Sequence, residues 1–179
     1  MLDLIGYHDV EKKLKIIGEA VLESIAEGFL HDRSEIFITS KLHSNYHNPE
    51  LIVDVIKYQI SQLGLGYIDL YLIHCPWGHI PASLEIQDKF GTQNLYENDK
   101  PVLRDFDHAE IWEKLENAVQ LDLVKFIGVS NFDKDQVDYI LENCKIKTCY
   151  ELLLAVAIIF KINTLICFYK NIIISSESR

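Results

Sequence analysis

Four polar side chains that could take part in chemistry follow three short apolar runs of the sequence. Lys41 follows EIFITS, His74 follows YIDLYLI, and Ser130 and Asn131 follow VKFIGV. An ammonium group can tune a neighbouring proton donor, and a neutral imidazole can orient a carbonyl oxygen through a hydrogen bond. A hydroxyl and an amide together can hold a nicotinamide carboxamide. The set therefore predicts carbonyl reduction, with hydride from a cofactor and a proton from the protein.

These residues need elements that bring them together, and the apolar periodicity predicts an alternating series. Spacings of three and four predict helices, and short β-branched or aromatic runs predict strands. Asn48 and Pro49 have the residue types of an N-cap and a first helical position. The expected order is helix 10–27, strand 35–41, a helix ending at Gly64, strand 67–74, loop 75–106, helix 107–121, strand 124–129 and a helix capped by Asp133.

Regular alternation of helices and strands is typical of right-handed βαβ units around a parallel sheet. In such sheets the functional residues lie at the carboxyl ends of the strands. Lys41, His74 and Ser130 all occupy such ends. The sequence therefore predicts that they share one edge of the sheet.

The composition limits the class of protein. The chain has 179 residues, of which 49% are hydrophobic, and a net charge of -10, which fits one globular domain and disfavours nucleic acid as a partner. The four cysteines show no CxxC pair and no metal-ligand spacing, so we expect free thiols and no metal. The first residues lack the pattern of a secretory signal. The expected location is the cytoplasm.

Two further groups of residues receive structural interpretations. His43 and His47 stand four apart, as metal ligands on a helix do, but no acidic ligand accompanies them, so we expect a solvated loop. The acidic side chains of the helix 107–121 and its C-terminal flank predict a solvated face. They are Glu110, Glu113, Glu116 and Asp122.

The matching stretches resemble the aldo-keto reductase family over about residues 18–147. They are IGEAVLESIAEG, EIFITSKL, LGLGYIDLYLIHCPW and LVKFIGVSNF. The last stretch fits the central pattern of the family, with Leu115 ten residues before Lys125 and then Ile127 to Phe132. The resemblance implies an α/β fold, a partial (β/α)8 TIM barrel comprising roughly its first half, and NADPH-dependent reduction of aldehydes and ketones to alcohols.

The resemblance also implies roles for individual residues. Lys41 resembles the catalytic lysine, and His74 resembles the histidine that orients the carbonyl group. Ser130 and Asn131 resemble the contacts to the nicotinamide carboxamide. Trp77 lies in the loop that lines the substrate pocket of the family. Trp112, on the following helix, is expected to be a packing residue.

The N-terminal stretch departs from the family pattern. In that pattern a tyrosine follows an aspartate by five residues, and a glycine follows the tyrosine by seven. Counting back from Gly18, the expected positions hold Gly6 and Glu11. Asp3 and Tyr7 stand nearby, four apart. If the chain has a local insertion here, the resemblance implies that Tyr7 is the catalytic acid. The alternative is that Tyr7 is a frayed terminal residue.

The C-terminal stretch departs as well, because the family's glutamine, tyrosine and basic phosphate-binding segment are absent after residue 147. We therefore expect a partial aldo-keto reductase domain over residues 1–147 and a divergent hydrophobic tail over residues 148–179. The tail resembles a translated AT-rich non-coding stretch, which transcript sequencing would test. Lys161 interrupts its apolar run, which disfavours a membrane span.

Three interpretations remain open at this stage. The first is an NADPH-dependent oxidoreductase acting on a small-molecule carbonyl substrate. The second is a non-catalytic truncated isoform or interaction module that self-associates through open sheet edges. The third is a variant anchored in a membrane through its tail.

Overall fold

The computed structural model describes residues 2–3, 10–80, 96–98 and 100–146 of the chain. The elements are, in chain order, β1 Leu2–Asp3, α1 Val10–Ala26, β2 Ile38–Leu42, α2 Ile52–Leu63, β3 Ile68–Ile73, β4 Gly78–His79, β5 Tyr96–Glu97, β6 Lys100–Pro101, β7 Leu103–Arg104, α3 His108–Gln120, β8 Val124–Val129 and α4 Lys134–Asn143. Within these described ranges the main sheet has four strands in the order β1, β2, β3, β8, and every pair is parallel. This alternation confirms the predicted βα units.

The register of the sheet sets its three longer strands level at their carboxyl ends. Leu42, the last residue of β2, pairs with Ile73, the last residue of β3. Ile73 in turn pairs with Val129, the last residue of β8. The chain segments that follow these strands therefore begin side by side.

The two faces of the sheet are distinguished by one contact with a helix. The hydroxyl group of Ser40 in β2 bonds to Gln59 of α2, so Ser40 faces the helices. Successive side chains of a strand alternate between faces. Lys41, Leu72 and Gly128, which are register partners, therefore lie on the opposite, inner face.

The helices form a layer in chain order, in which α1 packs on α2, α2 on α3 and α3 on α4. Between this layer and the sheet lies a core of aliphatic and aromatic side chains that includes Leu14, Ile56, Tyr71, Trp112, Leu115 and Ile127. Gly18 of α1 sits against the end of α2. A Cβ atom at this position would lie 1.8 Å from the carbonyl oxygen of Leu63. The two helices can approach this closely only because residue 18 has no side chain.

A part-buried ion pair fixes the amino end of the sheet. The guanidinium group of Arg33 donates to Asp69 Oδ2 at 2.7 Å and to the Tyr67 carbonyl oxygen at 3.1 Å. The same Asp69 oxygen accepts the backbone N–H of Ile38 at 2.8 Å. Asp69 thus ties the start of β2 to the start of β3, at the end of the sheet opposite to the predicted site.

Two predicted boundaries were wrong. Residues 35–37 are not in the strand, because the Asp32 side chain accepts the Ser34 N–H and caps a 3-10 turn over Arg33–Glu35. The second helix begins at Ile52, not after Asn48, because the Asn48 carbonyl oxygen accepts the Leu51 N–H and closes a turn first. The helix 10–27 and the strand 124–129 were predicted to within one residue.

The described residues of the expected long loop 75–106 include short strands. β4 pairs with β7 and β5 pairs with β6, both antiparallel. A Cβ atom on Gly78 of β4 would lie 2.4 Å from the ring of Phe106. The β4–β7 ribbon therefore packs closely on that ring.

Glu116 corrects the expectation of a solvated acidic face on α3. Its carboxylate is buried and accepts the backbone N–H groups of Lys145 and Ile146, each at 2.6 Å. Trp112 is buried, as expected of a packing residue, and its indole donates to the Ile146 carbonyl oxygen at 2.9 Å. Both side chains therefore fix the chain after α4, where a buried charge satisfies N–H groups instead of facing water.

Replacing Gly18 by Ala is expected to destabilise the protein by about 1–3 kcal/mol, because the added methyl group must displace α1 from the end of α2. Urea unfolding followed by circular dichroism measures the change in the free energy of unfolding. Glu19→Ala, on the exposed side of the same helix, is the matched control. A Gly18→Ala protein as stable as the control would show that the helices are not in this close contact.

Candidate active site

The candidate site lies at the level carboxyl ends of β2, β3 and β8. Hydrogen bonding between these strands continues one residue past each pair. The His74 N–H donates to the Leu42 carbonyl oxygen at 3.1 Å, and the Ser130 N–H donates to the Ile73 carbonyl oxygen at 2.9 Å. His74 and Ser130 are thereby fixed beside neighbouring strands. Both follow residues that face the helices, so both belong to the inner face with Lys41.

Asn131 links the ends of β3 and β8. Its backbone has φ 65°, in the left-handed region, which asparagine tolerates better than most residues. Its side-chain Nδ2 donates to the His74 carbonyl oxygen at 2.6 Å and lies 3.2 Å from Ser130 Oγ. These contacts hold the peptide of His74 against the turn that carries Ser130. Ser130 itself is fully buried.

Lys41 lies on the inner face near the end of β2 and is half-buried. The structure therefore brings Lys41, His74, Ser130 and Asn131 to one edge of the sheet. This is the arrangement that the alternating pattern predicts.

A second histidine lies beside His74. The ring of His43 has its centroid 6.1 Å from that of His74, with the two ring planes at 55°. Burial, with smaller contributions from His74 and His79, lowers the pKa of His43 to about 4. His43 is therefore neutral at physiological pH.

His47 and its neighbours overturn the expectation of a solvated HSNYH loop. Ser44–Tyr46 forms a buried 3-10 turn, and His47 directly after it has no exposed surface. The His47 ring stands edge-on to Phe106, with 6.3 Å between centroids. Burial lowers the pKa of His47 to about 3. The described residues contain no group of three or more side chains that could hold a metal ion.

The ribbon that carries Trp77 is anchored to this 3-10 turn. Ser44 Oγ and His79 Nδ1 are 2.7 Å apart, which joins the turn to β4. Between β3 and β4, the thiol of Cys75 donates to the Trp77 carbonyl oxygen at 3.4 Å, and burial raises the pKa of Cys75 to about 11. The Trp77 side chain remains 49% exposed. An apolar surface is thus held beside the polar edge.

The expected phenol donor, Tyr7, lies outside the described residues. Asp3 lies at the end of β1 and pairs in register with Thr39, two residues before Lys41. Tyr71 is a poor alternative donor, because it is fully buried and pairs with Ser40 on the helix side. Burial also raises the pKa of Tyr71 above its ordinary value.

Sequence patterns did not predict the roles of Ser44, Gln59 and His79. Ser44 and His79 are separated by 35 residues and meet only through the packing of the ribbon. Gln59 bonds to the end of β2. Its only signal in the sequence was the position of a polar residue among the apolar positions of α2.

A parallel sheet in chain order, with its helices in one layer and polar residues at the strand ends, is typical of the α/β-barrel class of enzymes, and the described residues form part of such a barrel. Comparison of the sequence narrows the class. The profile of the Aldo/keto reductase family matches residues 6–156. The chain belongs to this family of oxidoreductases, which confirms the resemblance of its four matching stretches.

Known proteins of the same family resemble the chain over about three quarters of its length. Aldose reductase C of Dictyostelium discoideum is 39% identical over 136 residues, which cover 74% of this chain and 40% of that protein. Aldo-keto reductase family 1 member C18 of Rattus norvegicus is 37% identical over 131 residues, covering 73% and 38%. The chain thus spans about two fifths of the length of these relatives.

Solved structures give the same coverage. The aldose reductase from Schistosoma japonicum superposes with a TM-score of 0.68 at 34% identity, covering 76% of this chain and 43% of that one. The aldo-keto reductase of Bombyx mori, solved in complex with NADP, superposes with a TM-score of 0.62 at 32% identity, covering 76% and 38%. These matches confirm the partial (β/α)8 barrel.

The buried state of His47 predicts a pH-dependent stability. Because its folded pKa of about 3 lies below the ordinary 6.5, only the unfolded chain takes a proton on this residue between those values. Neutral His47 therefore makes its full contribution to the free energy of unfolding above pH 6.5, and this contribution is lost as the pH falls toward 3. His47→Phe should reduce the loss of stability between pH 7.5 and pH 5 by about 2 kcal/mol.

Urea unfolding at both pH values measures this difference. His31→Gln, on the exposed surface, is the control and should behave as the unmodified chain does. Equal pH dependence in His47→Phe and the unmodified protein would contradict the buried, neutral imidazole.

Proposed function

We propose that this chain supplies the carbonyl-orienting and nicotinamide-binding groups of an NADPH-dependent carbonyl reductase. The observation that carries the proposal is the level register of β2, β3 and β8, which sets Lys41, His74 and Ser130 on one face at one edge. Membership of the aldo/keto reductase family supports it, because the matched residues 6–156 include all three of these positions. The substrate class is a small aldehyde or ketone.

The donor and acceptor groups at the end of β8 fit a nicotinamide carboxamide. Such a carboxamide presents an NH2 donor and a carbonyl acceptor, and Ser130 can serve as either partner. Asn131 uses Nδ2 to hold the His74 carbonyl oxygen, which leaves Oδ1 to accept from the carboxamide. NADPH, when bound, would supply the hydride. The NADP complex of the Bombyx mori relative supports this choice of cofactor.

His74 would orient the substrate carbonyl by donating a hydrogen bond to its oxygen. Its peptide is fixed on both sides, by Leu42 and by Asn131, so the imidazole needs little rearrangement on binding. The neighbouring His43 is neutral, so it adds polarity at the edge without a second positive charge. The exposed ring of Trp77 would provide an apolar wall for the substrate.

Lys41 would tune the proton donor. An ammonium group near a phenol stabilises the phenolate and lowers the phenol pKa toward the working range. We assign the phenol to Tyr7 and the accompanying carboxylate to Asp3, by their place in the sequence.

The proposal also includes the organisation of the chain and its location. Residues 1–147 form the reductase domain, residues 148–179 form a separate hydrophobic tail, and the protein is cytoplasmic. No helix among the described residues has the length and apolarity of a membrane span.

Loss of the His74 imidazole should abolish most of the turnover. We expect His74→Gln to lower kcat/KM for an aromatic aldehyde by about 100-fold, because the carbonyl group loses its orienting donor. The loss of NADPH absorbance measures the rate, and His31→Gln is the matched control with an exposed histidine. If the unmodified chain turns over and His74→Gln equals it, His74 does not have this role.

Ser130→Ala should weaken NADPH binding about fivefold, the effect of one lost hydrogen bond. Quenching of protein fluorescence during an NADPH titration gives the Kd. Ser61→Ala, at an exposed position of α2, should leave the Kd unchanged. No quenching of the unmodified protein at millimolar NADPH would refute cofactor binding by this chain.

A non-catalytic interaction module is the second candidate. The observation in its favour is that the main sheet of the described residues has four strands, with β1 and β8 at its edges, and open strand edges can pair with other chains. Size-exclusion chromatography with light scattering tests it. A concentration-dependent dimer without turnover would favour the module, and a monomer at all concentrations would count against it.

A further inference from the structure

His108 contacts two loops that follow neighbouring strands of the main sheet. It is the first residue of α3, directly after the N-cap Asp107, whose side chain accepts the Ala109 N–H at 2.8 Å. Such a cap fixes the first turn of a helix, and with it the backbone of His108. The side chain of His108 contacts the loop after β3 and the turn after β8.

The first of these contacts is a hydrogen bond to the loop after β3. His108 Nε2 lies 2.7 Å from the Pro76 carbonyl oxygen. A carbonyl oxygen can only accept a hydrogen bond, so Nε2 carries the hydrogen and donates it. This oxygen belongs to the peptide group that joins Pro76 to Trp77. The bond therefore fixes the plane of the peptide group at which Trp77 begins.

The second contact is a ring contact with the turn after β8. The ring centroids of His108 and Phe132 are 4.9 Å apart, and the two ring planes are tilted by 57°. Tilted pairs at this distance are favourable for aromatic rings. Phe132 is buried and directly follows Asn131. The imidazole therefore rests against the turn that is proposed to bind nicotinamide.

Trp77 depends on its backbone for its position, because its side chain is 49% exposed. An exposed side chain is restrained less by packing than a buried one. The peptide group on the far side of Trp77 accepts the Cys75 thiol at 3.4 Å, and a thiol is a weak donor. Of these two bonds to the peptide groups that flank Trp77, the bond from His108 is the shorter and the stronger.

We propose that His108 is a positioning residue for Trp77. Its imidazole joins the loop after β3 to the turn after β8, and so keeps the exposed indole at a fixed distance from the end of β8. The inference rests on the proposed function, in which the indole is a wall for the substrate and the turn binds nicotinamide. His108 acts through the Pro76 carbonyl group.

The expected consequence of losing this bond is weaker substrate binding. A wall that moves must be ordered when the substrate binds, and this ordering lowers the net free energy of binding. The groups that react lie at strand ends, where the hydrogen bonds of the sheet hold them. The loss should therefore raise KM more than it lowers kcat.

His108→Phe is the test variant, because it keeps an aromatic ring beside Phe132 and removes the donor. The protein is labelled with 5-fluorotryptophan, so that its two tryptophans, Trp77 and Trp112, give one 19F signal each. Transverse relaxation under rapid refocusing pulses reports the nanosecond motion of each ring. We expect the relaxation rate of Trp77 to fall about twofold and that of the buried Trp112 to stay unchanged.

Two control variants accompany this test. His108→Gln keeps a side-chain N–H donor and should retain most of the restraint on Trp77. His31→Phe, the same substitution at an exposed histidine, should leave both signals unchanged.

An unchanged relaxation rate of Trp77 in folded His108→Phe would overturn the proposal. Equal changes at Trp77 and Trp112 would show general loosening of the protein and would also overturn it. If His108→Phe does not fold, His108→Asn, whose side chain is shorter, is measured instead with the same expected fall at Trp77.

The relaxation measurement does not depend on turnover, so it separates this inference from the proposed function. If the unmodified chain reduces aldehydes, His108→Phe should raise KM for an aromatic aldehyde about fivefold and change kcat by less than about twofold. The expected fall at Trp77 in a chain without turnover would support the positioning and refute the reductase activity. Turnover with an unchanged Trp77 signal would refute the positioning alone.

Discussion

Two backbone hydrogen bonds, from His74 to Leu42 and from Ser130 to Ile73, are the constraint on which the candidate site depends. They extend the parallel pairing beyond the last residues of β2, β3 and β8. The three loops that follow these strands therefore begin at the same level of the sheet. Because side chains alternate along a strand, this single register also decides the face on which each polar group lies. A shift of one residue in any of these strands would send its functional side chain toward the helices.

The rest of the fold maintains that register from a distance. Asp69 binds Arg33 and the Ile38 N–H at the amino end of the sheet, which sets where β2 starts against β3. Gly18 permits α1 to approach α2, the helix from which Gln59 reaches the end of β2. The helix layer is thereby linked to the polar edge by a buried amide. Packing of the helices and geometry of the site are parts of one arrangement.

The sequence predicted the elements well where the apolar pattern was strong, as in α1 and β8. It also placed Lys41, His74 and Ser130 together, because strand ends in a parallel sheet must share an edge. It failed for His47 and Glu116, whose polar side chains predicted exposure to water. Both are buried by residues distant in the sequence. The His47 ring contacts Phe106, and the Glu116 carboxylate accepts the Lys145 N–H. Such partners are not visible in local spacing.

The most direct measurement is a titration of the 15N-labelled chain with NADP+, followed through the backbone amide resonances. If the strand ends form one cofactor-binding edge, the amides of His74, Ser130 and Asn131 should shift together along one binding curve. Amides at the other end of the sheet, such as Ile38, should remain in place. Shifts confined to the amino end, or none at millimolar NADP+, would contradict the assignment of the site.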